Sequence, residues 1–193
     1  SAFTLSKQQL YVAAKGLHFP YLHTRYADQV WMLVYDRENR LPGSLDPTGP
    51  TAKDRDILYR VPLPLKQSPR ALINKDGLLV ADAESEGVVI LSLADPRKPT
   101  IIKQLKTALV NGVTVPLKVR DMALLGSRLW LTMEVAEGNA SALYNVAFDL
   151  AKPSMPQTGA QRLEVQGLNG SNTPIIRNQA LAFSGAAFSV IDM

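Results

Sequence analysis

The side chains best equipped for chemistry sit in one short run. Between positions 16 and 28 the chain carries both of its histidines, His18 and His23, together with Tyr21, Arg25, Tyr26 and Asp28. Aromatic rings offer rigid area to a sugar or a peptide. Arg25 and Asp28 add directional hydrogen bonds, so the run is a candidate recognition segment. A metal centre fits it less well. His18 and His23 are five positions apart, a spacing that suits neither one face of a helix nor one face of a strand, and no third ligand accompanies them. The plainer alternative is that the aromatics pack the segment onto adjoining strands.

A second cluster is acidic. Asp82, Glu84 and Glu86 alternate ahead of Gly87, a pattern that resembles a calcium loop only in part. The Asp-x-Asp-x-Asp-Gly core and the distal Glu of an EF-hand are missing, so a solvated turn is the simpler reading and no metal is expected. A third set recurs along the chain: Asp36, Asp149 and Asp192 each close an apolar run, and Ser92 fills the same place in a fourth. A catalytic carboxylate is needed once, whereas a strand-end Asp that accepts backbone N–H bonds in the following turn is useful in every repeat. Side chains lining one rim would still leave paired-carboxylate glycosidase chemistry as an alternative. Gly-rich phosphate loops and a serine nucleophile elbow are absent from the sequence.

These residues are punctuated by a degenerate repeat that must position them. Its unit is an apolar strand, a hairpin, and a second apolar strand. The first strands are Leu10–Ala13, Leu78–Ala81, Leu129–Thr132 and Leu181–Ser184. The second strands are Val30–Asp36, Val88–Ser92, Ala142–Asp149 and Phe188–Asp192. Pro99 and Pro156 follow the second strand by seven residues in two units. A proline cannot donate to a ladder, so it ends pairing and turns the chain toward an outer strand. Further strands are expected at Arg70–Asn74, Thr100–Leu105, Asp121–Leu125 and Arg162–Val165. No segment combines helical periodicity with caps.

Short strands at a period of roughly 40–50 residues favour a propeller over a sandwich. The expected fold is therefore all-β: a β-propeller or propeller segment of about four antiparallel units, the last incomplete, in one domain spanning 1–193. The unit boundaries fall near 3–69, 70–119, 120–175 and 176–193. Trp31 and Trp130 lie in strand runs and are expected to pack in the core.

Composition narrows the function classes. The 193 residues carry a net charge of +4 from 21 basic and 17 acidic side chains. The two signs are interleaved along the chain, which argues against a nucleic-acid partner. No apolar stretch is long enough to span a membrane as a helix. Cysteine is absent, which removes disulfides, thiol catalysis and Cys-ligated metals. No signal peptide is visible, although Ser1-Ala2 has the look of a processing scar.

The second unit resembles an LVIVP-type repeat. The resemblance rests on Gly77-Leu78-Leu79-Val80-Ala81-Asp82 and on Val89-Ile90-Leu91-Ser92-Leu93-Ala94-Asp95-Pro96-Arg97-Lys98-Pro99. Ser92 stands where that family typically has Asp, and Ala94 where it has Ser. Units one and three depart from the pattern, with long hairpins and no Asp-Pro. The resemblance implies a β-propeller of an exported, surface or periplasmic bacterial protein, and it carries no catalytic residues. The function expected is binding or scaffolding without cofactors. The partners would be other domains of a parent polypeptide, a protein or glycan ligand, or further copies that complete the blades. A carbohydrate-active propeller enzyme, glycosidase or lyase-like, using rim carboxylates is the alternative.

Overall fold

Runs in which neighbouring residues are all apolar make strands that are buried on both faces. Val88, Val89, Ile90 and Leu91 show this directly, each having no exposed surface. In a computed structural model, which describes residues 2–5, 9–15, 29–36, 57–163, 174–177, 180–183 and 189–192, the chain is all-β. Two compact units divide it, Ser1–Gln104 and Leu105–Met193.

The amino-terminal unit holds two four-stranded antiparallel sheets. The first comprises β1 (Ala2–Leu5), β2 (Gln9–Lys15), β3 (Val30–Asp36) and β4 (Ile57–Leu63), ordered as in the chain. The second comprises β5 (Ala71–Lys75), β6 (Leu78–Asp82), β7 (Val88–Ser92) and β8 (Thr100–Leu105), also in chain order. Their core forms between facing sides. Tyr11, Ala13, Met32, Val34, Val61 and Leu63 from the first sheet cluster with Leu72, Leu79, Ala81, Val89 and Leu91 from the second. Strand β1 lies beside β5.

The carboxyl-terminal unit opens with a two-stranded hairpin, β9 (Thr107–Val110) and β10 (Val113–Pro116). A four-stranded sheet follows: β11 (Val119–Leu125), β12 (Arg128–Glu137), β13 (Ala140–Asp149) and β14 (Gln157–Arg162). The last sheet has three strands, β15 (Pro174–Arg177), β16 (Ala180–Phe183) and β17 (Ser189–Asp192), and β15 lies beside β11. On one face of the four-stranded sheet Leu129 pairs with Phe148, Leu131 with Val146 and Met133 with Tyr144, all buried.

One register recurs in all four of these larger sheets. The recurrent strand-end residue pairs with the first residue of the strand before it: Asp36 with Gln9, Ser92 with Leu78, Asp149 with Arg128 and Asp192 with Ala180. The hydrogen bond beyond that pair recurs too, from Leu93 N–H to the Gly77 carbonyl (2.7 Å) and from Leu150 N–H to the Ser127 carbonyl (2.8 Å). A one-residue slip would send each buried set to the other face, so the apolar pattern fixes this register. The repeat read from the sequence is thus a repeat of backbone pairing.

Two expectations need adjustment. The outer strand after Pro156 runs Gln157–Arg162, starting five residues before the expected Arg162–Val165, whose last two positions lie outside the described residues; it follows pairing with β13 rather than its own apolarity, and five of its six residues are exposed. The β9–β10 hairpin falls outside the strands expected. Its turn, Asn111 (φ 50°) and Gly112 (φ 79°), has both central residues left-handed, the geometry that matches the twist of a two-residue hairpin.

Candidate functional site

The recognition run His18, Tyr21, His23, Arg25, Tyr26 and Asp28 lies outside the described residues. The acidic turn is described in full. Asp82 ends β6 and is buried, and Glu84–Glu86 form a single 3-10 turn. Asp82 and Glu84 share Arg70, and Glu86 has a partner of its own. Asp82 Oδ2 accepts from Arg70 Nη2 (2.8 Å) and Nε (3.1 Å), and Asp82 Oδ1 accepts from Glu84 N–H (3.2 Å). Glu84 is 3.5 Å from the Arg70 guanidinium. Glu86 Oε1 accepts from Lys66 N–H (2.7 Å), while the Glu86 carbonyl accepts from Gln104 Nε2 (2.7 Å). The turn therefore clips the chain ahead of β5 and the end of β8 to the tip of β6–β7. Among the described residues no three His, Cys, Asp or Glu side chains form a group that could hold a metal ion.

The recurrent strand-end residues hold turns where their side chains are described. Asp149 Oδ1 accepts from Ala151 N–H at 3.0 Å, and Ser92 Oγ accepts from Ala94 N–H at 3.2 Å. The bond is the same two-residue-forward turn in both units, which explains why Ser replaces Asp without changing the local fold.

Sequence reasoning passed over a second polar cluster among the described residues. It joins Asn111 of the β9–β10 turn, Glu137 at the end of β12, Tyr144 of β13 and Arg162 at the end of β14. The Tyr144 hydroxyl donates to Glu137 Oε1 (2.6 Å) and accepts from Asn111 Nδ2 (2.9 Å), and Arg162 Nη2 donates to Glu137 Oε2 (3.0 Å). A second tie flanks it: Gln157 Nε2 donates to the Leu109 carbonyl and Gln157 Oε1 accepts from Leu109 N–H, each at 2.7 Å. One side-chain amide thus does what a ladder residue would do for β9. Leu109 and Val113 project from this anchored hairpin into solvent.

The electrostatics of the cluster favour anchoring over catalysis. The hydrogen bond to Glu137 and burial both push the Tyr144 phenol above its ordinary pKa, outweighing the bond from Asn111. A phenol whose proton is held more tightly than usual is a poor base near neutral pH. Nearby, Arg120 and then Ser141 hydrogen-bond Glu134 and hold its carboxyl below the usual glutamate value. Spectrophotometric titration should show the Tyr144 shift. The wild-type protein is expected to retain a tyrosine absorbance step above pH 10.0 that is lost in Tyr144→Phe. The sign for stability follows: a folded-state pKa raised above the unfolded one gives stability that is intact below the unfolded pKa and lost as pH rises through the folded pKa. An unchanged titration curve in the variant would contradict the Tyr144–Glu137 bond.

Across the other face of the same sheet, Asp121, Thr132, Asn145 and Gln161 stand opposite one another in register. Thr132 and Asn145 are buried, and Thr132 Oγ1 has no hydrogen-bond partner among the described residues. The alternation in Leu131-Thr132-Met133 signals a strand but not this polar row, which only the pairing assembles.

No protein-family profile matches the chain, and no curated protein matches it. Solved structures do. The computationally designed Ika8 protein shares 12% identity at a TM-score of 0.51, covering 98% of this chain and 44% of that one. The computationally designed Ika4 protein shares 13% identity at a TM-score of 0.47, covering 100% of this chain and 90% of that one. At such identities the likeness to Ika8 concerns fold alone, and this chain spans less than half of Ika8.

Proposed function

We propose that this chain is a β-propeller-type module that binds or scaffolds without chemistry of its own, within a larger exported or surface protein. The observation that carries the reading is the use made of the recurrent polar residues. Asp149 and Ser92 hold backbone turns at equivalent register positions, an architectural duty that explains repetition as catalysis does not. The arginine pairs of Asp82, Glu134 and Glu137 agree with it, since each carboxylate is occupied in joining strands or turns. The four-strand sheets in simple chain order are the form expected of propeller blades. On this reading recognition belongs to connecting segments, above all the run holding Tyr21, Arg25 and Tyr26.

Glycan and peptide arrays probed with the intact chain test this. Saturable binding to one class is expected, with the Tyr21→Ala/Arg25→Ala/Tyr26→Ala variant reduced about tenfold or more, the scale of losing several contact residues at once. Binding retained in full by that variant would remove the 16–28 segment from the site.

A further inference from the structure

Asn111 is placed for a reaction that needs no enzyme. An asparagine side chain is attacked at Cγ by the backbone nitrogen of the next residue, and a side chain on that residue obstructs the approach. Asn111 is followed by Gly112, and both are exposed at the tip of the β9–β10 hairpin. A Cβ built on Gly112 would meet nothing within 4 Å, so the space beside its backbone is open. Val110 pairs with Val113, which leaves the Gly112 N–H outside the ladder. Asn74, Asn139 and Asn145 are followed instead by Lys75, Ala140 and Val146, each held in a strand pair. Asn139 is the nearest comparison, since it too is exposed in a two-residue hairpin turn.

The second observation is what the Asn111 amide does. Its Nδ2 donates to the Tyr144 hydroxyl (2.9 Å), whose own proton is committed to Glu137 Oε1 (2.6 Å). A phenol has a single proton to give, and an ionised carboxylate has none. A carboxylate in place of the Asn111 amide would therefore compete with Glu137 for the Tyr144 proton and add a second negative charge beside it. Arg162 already faces Glu137 Oε2 at 3.0 Å. The tie from the hairpin turn to β13 is one that the amide makes and a carboxylate does not.

We infer that Asn111 is a self-modification site, at which the side-chain amide is converted to Asp or iso-Asp and the β9–β10 turn is released from Tyr144 irreversibly. The deprotonated Gly112 nitrogen forms a bond to Asn111 Cγ, the Cγ–Nδ2 bond breaks, and Nδ2 leaves as ammonia. Water then opens the cyclic imide at either carbonyl, giving Asp or iso-Asp. Water is the only co-reactant. The bond to Tyr144 restrains rotation of the amide and so slows the first step. The inference is independent of which ligand the module binds.

Peptide mapping of the intact chain by mass spectrometry, over a time course in neutral to mildly alkaline buffers, tests it. The Asn111 peptide is expected to gain about one dalton as NH2 gives way to OH, faster at higher pH, with iso-Asp appearing beside Asp. The Asn139 peptide is expected to keep its mass. Asn169-Gly170 repeats the dipeptide outside the described residues, so fragment spectra must assign the site. Tyr144→Phe, checked for folding by circular dichroism, is expected to react about two- to tenfold faster, the range of one neutral hydrogen bond. Asn111→Asp is expected to speed amide hydrogen exchange in β9 and β10 and to leave β12 unchanged; this arm and the wild-type time course decide the site without the Tyr144 variant. An Asn111 peptide of constant mass would overturn the inference, as would equal conversion at Asn139, an unchanged rate in folded Tyr144→Phe, or wild-type exchange in Asn111→Asp.

Discussion

Leu79→Ala is expected to destabilise the amino-terminal unit by about 2–5 kcal/mol, the range for emptying a leucine site in a packed core. Leu79 has no exposed surface and lies within the cluster joining the β1–β4 and β5–β8 sheets. Leu79 is flanked across the ladder by Asn74 on one side and Leu91 on the other, and strand pairing limits their collapse into the space. Ile101→Ala is the matched control. Ile101 lies on the outer strand β8 and is 47% exposed, so its loss is expected to stay within about 1 kcal/mol. Urea denaturation of the two variants checks the contrast. Equal midpoints would contradict the packing of the two sheets on each other.

Arg70→Ala ranks second, at about 1–3 kcal/mol. Removing one partner of a buried pair costs about 3–5 kcal/mol because the other charge is left stranded. Here the Asp82 side chain is only 6% exposed but that of Arg70 is 46% exposed, so solvent screens part of the interaction. Asp82 keeps one bond, from Glu84 N–H. The double variant Arg70→Ala/Asp82→Ala is expected to lose less than the sum of the single variants, because no buried carboxylate is left unpaired and Glu84, which also faces Arg70, is half exposed. Additive losses in denaturation experiments would show that the two side chains do not depend on each other.

The central strands were legible in the sequence because burial on both faces leaves an unbroken apolar run. Val88–Leu91 is one, and Val146-Ala147-Phe148 is another. The repeat was legible because Asp36, Asp149 and Asp192 mark one register place, and Ser92 could be aligned with them through its apolar flank. The outer strand β14 was displaced from its expected position because an edge strand takes its place from a partner and tolerates Gln, Gly and Ala. The Asn111-Gly112 turn carried a usable signal that the repeat pattern obscured, since the hairpin has no counterpart in that pattern. The Asn111–Glu137–Tyr144–Arg162 cluster could not be read at all. Its members come from four separate elements, and only strand pairing brings them together, through three hydrogen bonds of 2.6–3.0 Å. The candidate recognition run at 16–28 rests on composition alone, its histidines and aromatics, and lies outside the described residues.

On the proposed reading this chain binds its ligand without transforming it. The most direct measurement is mass spectrometry of the array-identified glycan or peptide after prolonged incubation with wild-type protein and with Asp149→Asn. Intact ligand in both samples, with the variant changed only in its melting temperature, is the predicted result. Time-dependent cleavage by the wild type that disappears in Asp149→Asn would contradict it and assign the strand-end carboxylates to catalysis.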